Sequence, residues 1–348
     1  MAPNDGRKRK ARKRGPTSGR QRSPGGGPRR VAPPGTQAQG TLPTFERRSP
    51  LLAPVPSPSE EVMFDLHQRL GAGRVWDSLE ELNREMRELT AKGPVPRSQP
   101  AEPSARAQRL VYDAWNKPEE GEALAEQALT LDPECVDALL FLALAHAERP
   151  EKAMQFAFQA LEAGEALLER DPEAAEEGHL WGHLTARPYL RARAFLARYM
   201  WGLGGRIMAT TLADGTLELD DGDALGLRYV LLSWYLDMGE EILTRQLLDT
   251  YKDEGSAFML WADALLTFWD RGDDRTAKAR LNKALKANRL VAELLLGDPE
   301  DLVVADIDSY APGSEEEARL CAHLFYSAWE RDLAALAWLD EDTARRPG

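Results

Sequence analysis

Residues 258–284 decide how this chain folds: Phe258-Met-Leu-Trp261-Ala-Asp-Ala264-Leu-Leu-Thr-Phe268, followed by Gly272, Ala277, Leu281 and Ala284. With Phe258 as position one, tryptophan falls at four, an aromatic at eleven, glycine at fifteen and alanine at twenty and twenty-seven. Apolar residues three and four apart on either side of a glycine predict two amphipathic helices with a turn at Gly272. Small residues where the two helices cross let their backbones approach. A step of thirty-four residues back from Ala277 reaches Leu243, and a second step reaches Ala209. A period of that length belongs to stacked helix pairs, each burying its apolar face against its neighbours.

This spacing resembles the tetratricopeptide repeat. The resemblance implies an all-α fold, a right-handed superhelix (α-solenoid) of tetratricopeptide-like helix pairs. The unit beginning near Leu190 has Leu196 and Ala197 where packing is tight, Gly204 at the turn and Ala209 at the crossing. The unit beginning near Ala224 has Gly239 one place late and Leu243 where a small residue is expected. Upstream, the stretches from Leu110 to Pro133 and from Leu139 to Pro172 read as two further units, the second ending in an overlong helix. Four or five units result. Thr210 to Leu219 is ambiguous, because its threonines and Asp214-Gly215 favour a β-hairpin while the register demands a helix. We read it as a strained or frayed helix.

Longer strings narrow the resemblance. Gly178-His-Leu-Trp-Gly-His183, Arg187-Pro-Tyr-Leu-Arg-Ala192, Asp223-Ala-Leu-Gly-Leu-Arg-Tyr229, Ser309-Tyr-Ala-Pro-Gly313, Trp329 and Ala337-Trp338-Leu339 are the residues concerned. Over residues 60–340 the chain thus resembles bacterial tetratricopeptide proteins related to the suppressor of tumorigenicity seven-like family. It departs from their pattern at Ile207–Leu219, where a charged second helix is expected. The family's activity is poorly defined, so the resemblance implies fold and little mechanism.

The chain divides into residues 1–58, 59–103 and 104–348. Met1 to Pro58 holds eleven prolines, eight glycines and a single aromatic, Phe45, which is too little apolar surface to offset the entropy of ordering. This is the signature of a disordered tail. The first fifty residues carry net +11, leaving −24 on the rest of a chain whose total is −13. The run Arg7, Lys8, Arg9, Lys10, Arg12, Lys13 and Arg14 suits sequence-independent contact with nucleic acid. It equally suits a solubility tail, an extension from a misassigned start codon, or docking on the acidic body. Residues 59–103 predict two helices and a linker. Glu60–Leu70 places Val62, Phe64 or Asp65, Leu66 and Leu70 on one face; Asp77–Leu89 is the second helix, and Pro94, Pro96, Pro100 and Pro103 mark the linker. The 104–348 segment is the repeat array. No apolar run is long enough to cross a membrane, and no secretory signal follows the basic start. Two distant cysteines, Cys135 and Cys321, support neither a disulfide framework nor a zinc motif, and a cytoplasmic location fits.

Sites for chemistry are sparse. His179 and His183 have the spacing of two metal ligands on one helix face, with Glu176 a turn earlier, but no further ligand is readable and Gly182 weakens the helix. Cys321 and His323 are two apart and diverge on a helix. Gly202-Leu-Gly204-Gly205 follows a helix and reads as a turn, not a phosphate loop. Glu218, Asp220, Asp221 and Asp223 lack calcium-loop spacing and read as a solvated loop. No cofactor is expected.

The resemblance implies a groove lined by each first helix. At its groove positions stand Arg191, Ala194, Arg198 and Trp201, then Leu225, Arg228, Leu232 and Tyr235, then Met259, Ala262, Leu266 and Trp269. Arg191, Arg198 and Arg228 with Trp201, Tyr235 and Trp269 suit an extended acidic or carboxylate-ending peptide. The bland reading of the same residues has the aromatics filling the core and the arginines pairing with neighbouring acids. The expectation is a non-enzymatic protein-binding adaptor. A nucleic-acid-associated adaptor tethered by the tail, and more remotely a metal-dependent enzyme around His179 and His183, are the alternatives.

Overall fold

The computed structural model describes residues 55–71, 84, 87–88, 93–170, 178–304, 307 and 309–344. The basic run Arg7–Arg14, Glu176, and all of the helix expected over Asp77–Leu89 except residues 84, 87 and 88, which are helical, lie outside the described residues. Among the described residues the fold is all-helical, with one isolated bridge between His179 and Asp220. Helix α1 (Pro58–Gly71) is followed by the hairpins α2 (Pro103–Asn116) and α3 (Pro118–Leu131), and α4 (Val136–Ala145) and α5 (Pro150–Arg170). Next come α6 (Arg187–Gly202) and α7 (Arg206–Leu217), α8 (Leu227–Met238) and α9 (Glu241–Thr250), and α10 (Ala257–Arg271) and α11 (Arg275–Ala287). After the short α12 (Leu290–Leu296), α13 (Glu315–Glu330) and α14 (Leu333–Ala344) form a sixth hairpin. No helix among the described residues is long and apolar enough to cross a membrane.

Each hairpin is made by the same local device. A short turn of one to four residues follows the first helix, in three cases with a glycine at positive φ, Gly204 at 85°, Gly239 at 71° and Gly272 at 66°. The second helix then buries a small residue in its first turn: Gly121, Ala153, Ala209, Thr244, Ala277 or Ala335. Gly121 shows why. A Cβ there would lie 2.3 Å from the Phe141 ring, so this crossing admits no side chain. The residue expected at the crossing in α9 was Leu243, but Leu243 is exposed and Thr244 takes its place, fully buried. The step from Ala209 is thirty-five residues here because the turn glycine is itself one place late, and the next step, to Ala277, is thirty-three, which restores the register. Thr210–Leu217 is helical as the register requires, and Thr216 fits by turning its hydroxyl back to the Leu212 carbonyl, 2.5 Å away.

Successive hairpins pack through their first helices, α2 on α4 and α4 on α6, then α8 on α10. Opposite faces of α6 belong to two apolar clusters. Phe195, Leu196 and Tyr199 join the N-terminal cluster, while Leu190, Ala194 and Ala197 join the cluster that runs on to Leu339. A strictly one-dimensional stack would let each hairpin touch only its neighbours. Here α13 packs on both α8 and α10, with Trp329 edge-on to Trp261 at 5.8 Å and Arg331 donating to the Leu236 carbonyl at 2.7 Å. Asp274 and Ser314 cap α11 and α13 through their side chains, accepting from the amides of Ala277 and Glu317.

Candidate functional site

Helix α1 is bonded to the first helices of two hairpins, α2 and α6, and through Arg191 is linked to Asp137 of a third, α4. Pro58 in its first turn, the Ser57 hydroxyl accepting from the Glu60 amide at 3.3 Å, and Glu60 and Glu61 at its positive end start the helix. Its expected apolar face is corrected by the structure. Val62 is 45% exposed, and the buried residues are Glu60, Phe64, Asp65 and Leu70. Carboxylates turn inward because arginines await them. Arg191, wholly buried in α6, donates to Glu60 at 2.9 Å and forks onto Asp137 of α4 at 3.1 and 2.6 Å. Arg109 of α2 donates to Glu61 at 2.8 Å and to Asp65, which also accepts from the Ser98 amide and hydroxyl at 2.8 and 2.6 Å. Burial works against the charge on Arg191, yet Asp137 and Glu60 outweigh it and hold the guanidinium above its ordinary value. Arg191, expected on an open groove, is therefore satisfied by the chain itself.

Arg198 and Arg228 meet around a different carboxylate, Asp223. The acidic loop 218–223 is solvated only in part, with Glu218 and Asp221 exposed as expected. Asp220 and Asp223 are 7% and 6% exposed, and Asp223 accepts from the amides of Leu227 and Arg228 at 2.7 and 2.9 Å, closing the start of α8. Burial pushes the Asp223 carboxyl up to about 6, against the pull of those amides and of Arg228. Arg228 reaches Glu254 at 2.9 Å and stands over the rings of Tyr229 and Tyr251 at 4.9 and 5.1 Å. Arg198 donates to the carbonyls of Ala194 and Leu225, and burial, opposed by Asp223, brings it down to about 10. Both arginines organise the α7–α8 connection.

The aromatic candidates divide likewise. Tyr235 is buried in the core, where burial, then Asp214 and Glu240, push its hydroxyl up to about 12. Trp201 and Trp269 are half-buried at the C-terminal ends of α6 and α10. Trp201 stacks on Trp234 at 4.7 Å and is covered by Arg206 at 3.7 Å, while Arg331 stands 5.8 Å from Trp269. Arg206 and Arg331 share the field of Asp237, whose carboxyl burial pushes up to about 6 although Ser327 and both arginines favour its charge. Asp237, Arg206 and Arg331 had no sequence signal, because the α13 turn reaches this edge only through tertiary packing. Around this cluster Ile207, Ile242 and Leu333 are 79%, 74% and 76% exposed.

The remaining candidates are not assembled for catalysis. His179 is paired in the β-bridge and His183 ends a 3-10 turn at Leu180–Gly182, so the two do not share a helix face. Among the described residues no group of three or more His, Cys, Asp and Glu is arranged to hold a metal. Both cysteines are buried, which pushes the Cys135 thiol up to about 12 and holds the Cys321 thiol well above its ordinary value, favouring the neutral thiol over the thiolate. Gly204 and Gly205 form the α6–α7 turn. Compared with protein-family models, curated proteins and solved structures, the chain matches none.

Proposed function

We propose that the chain is a non-enzymatic adaptor, an array of tetratricopeptide-type helix pairs wound as a right-handed superhelix, that binds a protein or peptide partner through its hairpin-turn edge. One observation carries the reading. Ile207, Ile242 and Leu333 stand at the same place in three hairpins, each in the first turn of a second helix, and each keeps about three quarters of its surface in water. Single exposed aliphatics are ordinary, but a recurrence at one edge, beside half-buried tryptophans and arginines, has the composition of an interface centre. Leu203, Met208 and Leu243 extend it, at 40%, 46% and 38% exposure. The same Trp201 and Trp269 expected in the groove contribute here. The resemblance to the suppressor of tumorigenicity seven-like family is consistent with such a role, and it names no partner.

The test is affinity capture with the full chain and with Ile207→Asp/Ile242→Asp. These side chains touch little, so helicity and melting temperature should match the parent within about 0.5 kcal/mol of stability. Captured proteins should disappear with the variant. Full capture by the folded double variant refutes the edge as the binding surface.

A further inference from the structure

We propose that the face formed by α2, α4 and α6 is a receptor for an acidic amphipathic helix, and that α1 is its resident, exchangeable occupant. This site stands apart from the hairpin-turn edge and does not depend on it.

The argument begins with the inversion of α1. A helix that belongs to a core hides its apolar residues and leaves its glutamates in water. In α1, Glu60 and Asp65 are 1% and 5% exposed, while Val62 and Met63 are 45% and 41% exposed. Phe64 and Leu70 are its buried apolar residues, with Phe64 edge-on to Tyr112 at 5.3 Å and under the Arg109 guanidinium at 4.9 Å. The junctions between hairpins are by contrast built mainly of buried apolar side chains, with the Arg191–Asp137 fork added between α4 and α6. A contact held by matched charges is specific but modest in net strength, since desolvation offsets most of the attraction.

The α4–α6 side of the receptor keeps its pairing without α1. Asp137 holds the Arg191 fork through two of its nitrogens, so release of Glu60 frees one guanidinium nitrogen, whereas Arg109 and Ser98 give up Glu61 and Asp65 and await the carboxylates of the incoming helix. Nor does α1 saturate its seat. Arg109 is 7% exposed, and its Nε is buried with no hydrogen-bond partner. A cavity of about 230 Å³ remains beside the helix, bounded by Phe64 and Gln68 of α1 and by Gln108, Tyr112, Val136 and Leu167.

These features define the partner. It is a helix with a carboxylate at the place of Glu60, an aromatic four residues on, a second carboxylate at the fifth, and a bulky apolar side chain at the eighth, where Gln68 leaves the cavity open. Displacement must compete with a tethered helix whose effective concentration is in the millimolar range, so exchange favours a partner that fits better than α1 does.

A labelled synthetic peptide of residues 55–71 carrying Gln68→Leu serves as the probe, read by fluorescence anisotropy. It should bind the full chain with Glu60→Gln and Asp65→Asn at least about tenfold more tightly than the unmodified full chain, because the resident helix is weakened. The same peptide with Glu60→Gln and Asp65→Asn should lose binding to both. Equal binding of charged and neutral peptides, or binding to neither protein, overturns the proposal. Hydrogen exchange on the unmodified full chain guards against a variant that misfolds. The α1 amides should be protected about a hundredfold less than those of α6, and still less at high salt. If α1 exchanges only with global unfolding, it is a fixed part of the core and the proposal fails. A concentration-dependent dimer that the peptide dissociates assigns the seat to α1 of a second copy, which also overturns it. Ile207→Asp/Ile242→Asp should leave peptide binding unchanged, separating this outcome from that of the turn edge.

Discussion

Arg191→Met is the most exacting test of the network beneath α1. The substitution removes three charge-assisted hydrogen bonds, at 2.9, 3.1 and 2.6 Å, from a side chain with no exposed surface. What stays behind sets the cost. Glu60 can leave with α1 and recover its hydration. Asp137 is fixed within α4 at 0% exposure and keeps the Gln108 amide, 2.8 Å away, as a neutral donor. Removing one partner of a buried pair costs about 3–5 kcal/mol, and the escape of Glu60 places this variant near 3. At about 2–4 °C per kcal/mol for a protein of this size, the melting temperature should fall by roughly 6–12 °C. Circular dichroism melts and urea titrations of the full chain measure both quantities. Adding Asp137→Asn should recover at least half of the loss, because the stranded charge is gone. Arg245→Met is the control: Arg245 is 39% exposed against Asp263 at 2.7 Å, and a surface pair is worth less than about 1 kcal/mol. If Arg191→Met costs no more than Arg245→Met, or if Asp137→Asn rescues nothing, the buried network does not hold the hairpins as described.

Gly121→Ala should destabilise by about 1–3 kcal/mol, since Phe141 is 1% exposed and cannot yield to the new methyl, whereas Gly182→Ala, with open space around it, should be neutral in the same melts. Tyr199→Phe should cost about 1–2 kcal/mol by stranding the Ala147 carbonyl, which the hydroxyl reaches at 2.7 Å. Asp237 has a folded carboxyl near 6 against 3.8 unfolded, so the folded state takes up the proton first and gains stability as pH falls from 7.5 through 6. The advantage of Asp237→Asn over the parent should accordingly be largest at pH 7.5, roughly 2 kcal/mol, and shrink toward pH 5. A difference independent of pH contradicts the assignment.

How much of this was readable beforehand varies along the chain. Gly272, Ala277, Leu281 and Ala284 sit where their spacing placed them, because a turn that needs a positive φ and a crossing that admits only small residues are both local demands on residue type. Leu243 shows the limit of counting: a turn one residue late moved the crossing to Thr244, and a fixed step of thirty-four cannot register that. Arg191, Arg198 and Arg228 stand out in an acidic body and were expected on a groove, yet their spacing could not show that Glu60, Asp137, Asp223 and Glu254 would meet them.

By itself, then, the sequence determined the all-helical architecture, the turns and the small residues at the crossings, because these depend on side chains within about one repeat of each other. Tertiary structure decided the rest. The partner of each arginine, the inward turn of the α1 carboxylates and the gathering of Trp201, Trp269 and Asp237 at one edge join residues up to 131 positions apart. Charge pairing over such separations depends on how the hairpins stack, and no local periodicity encodes it.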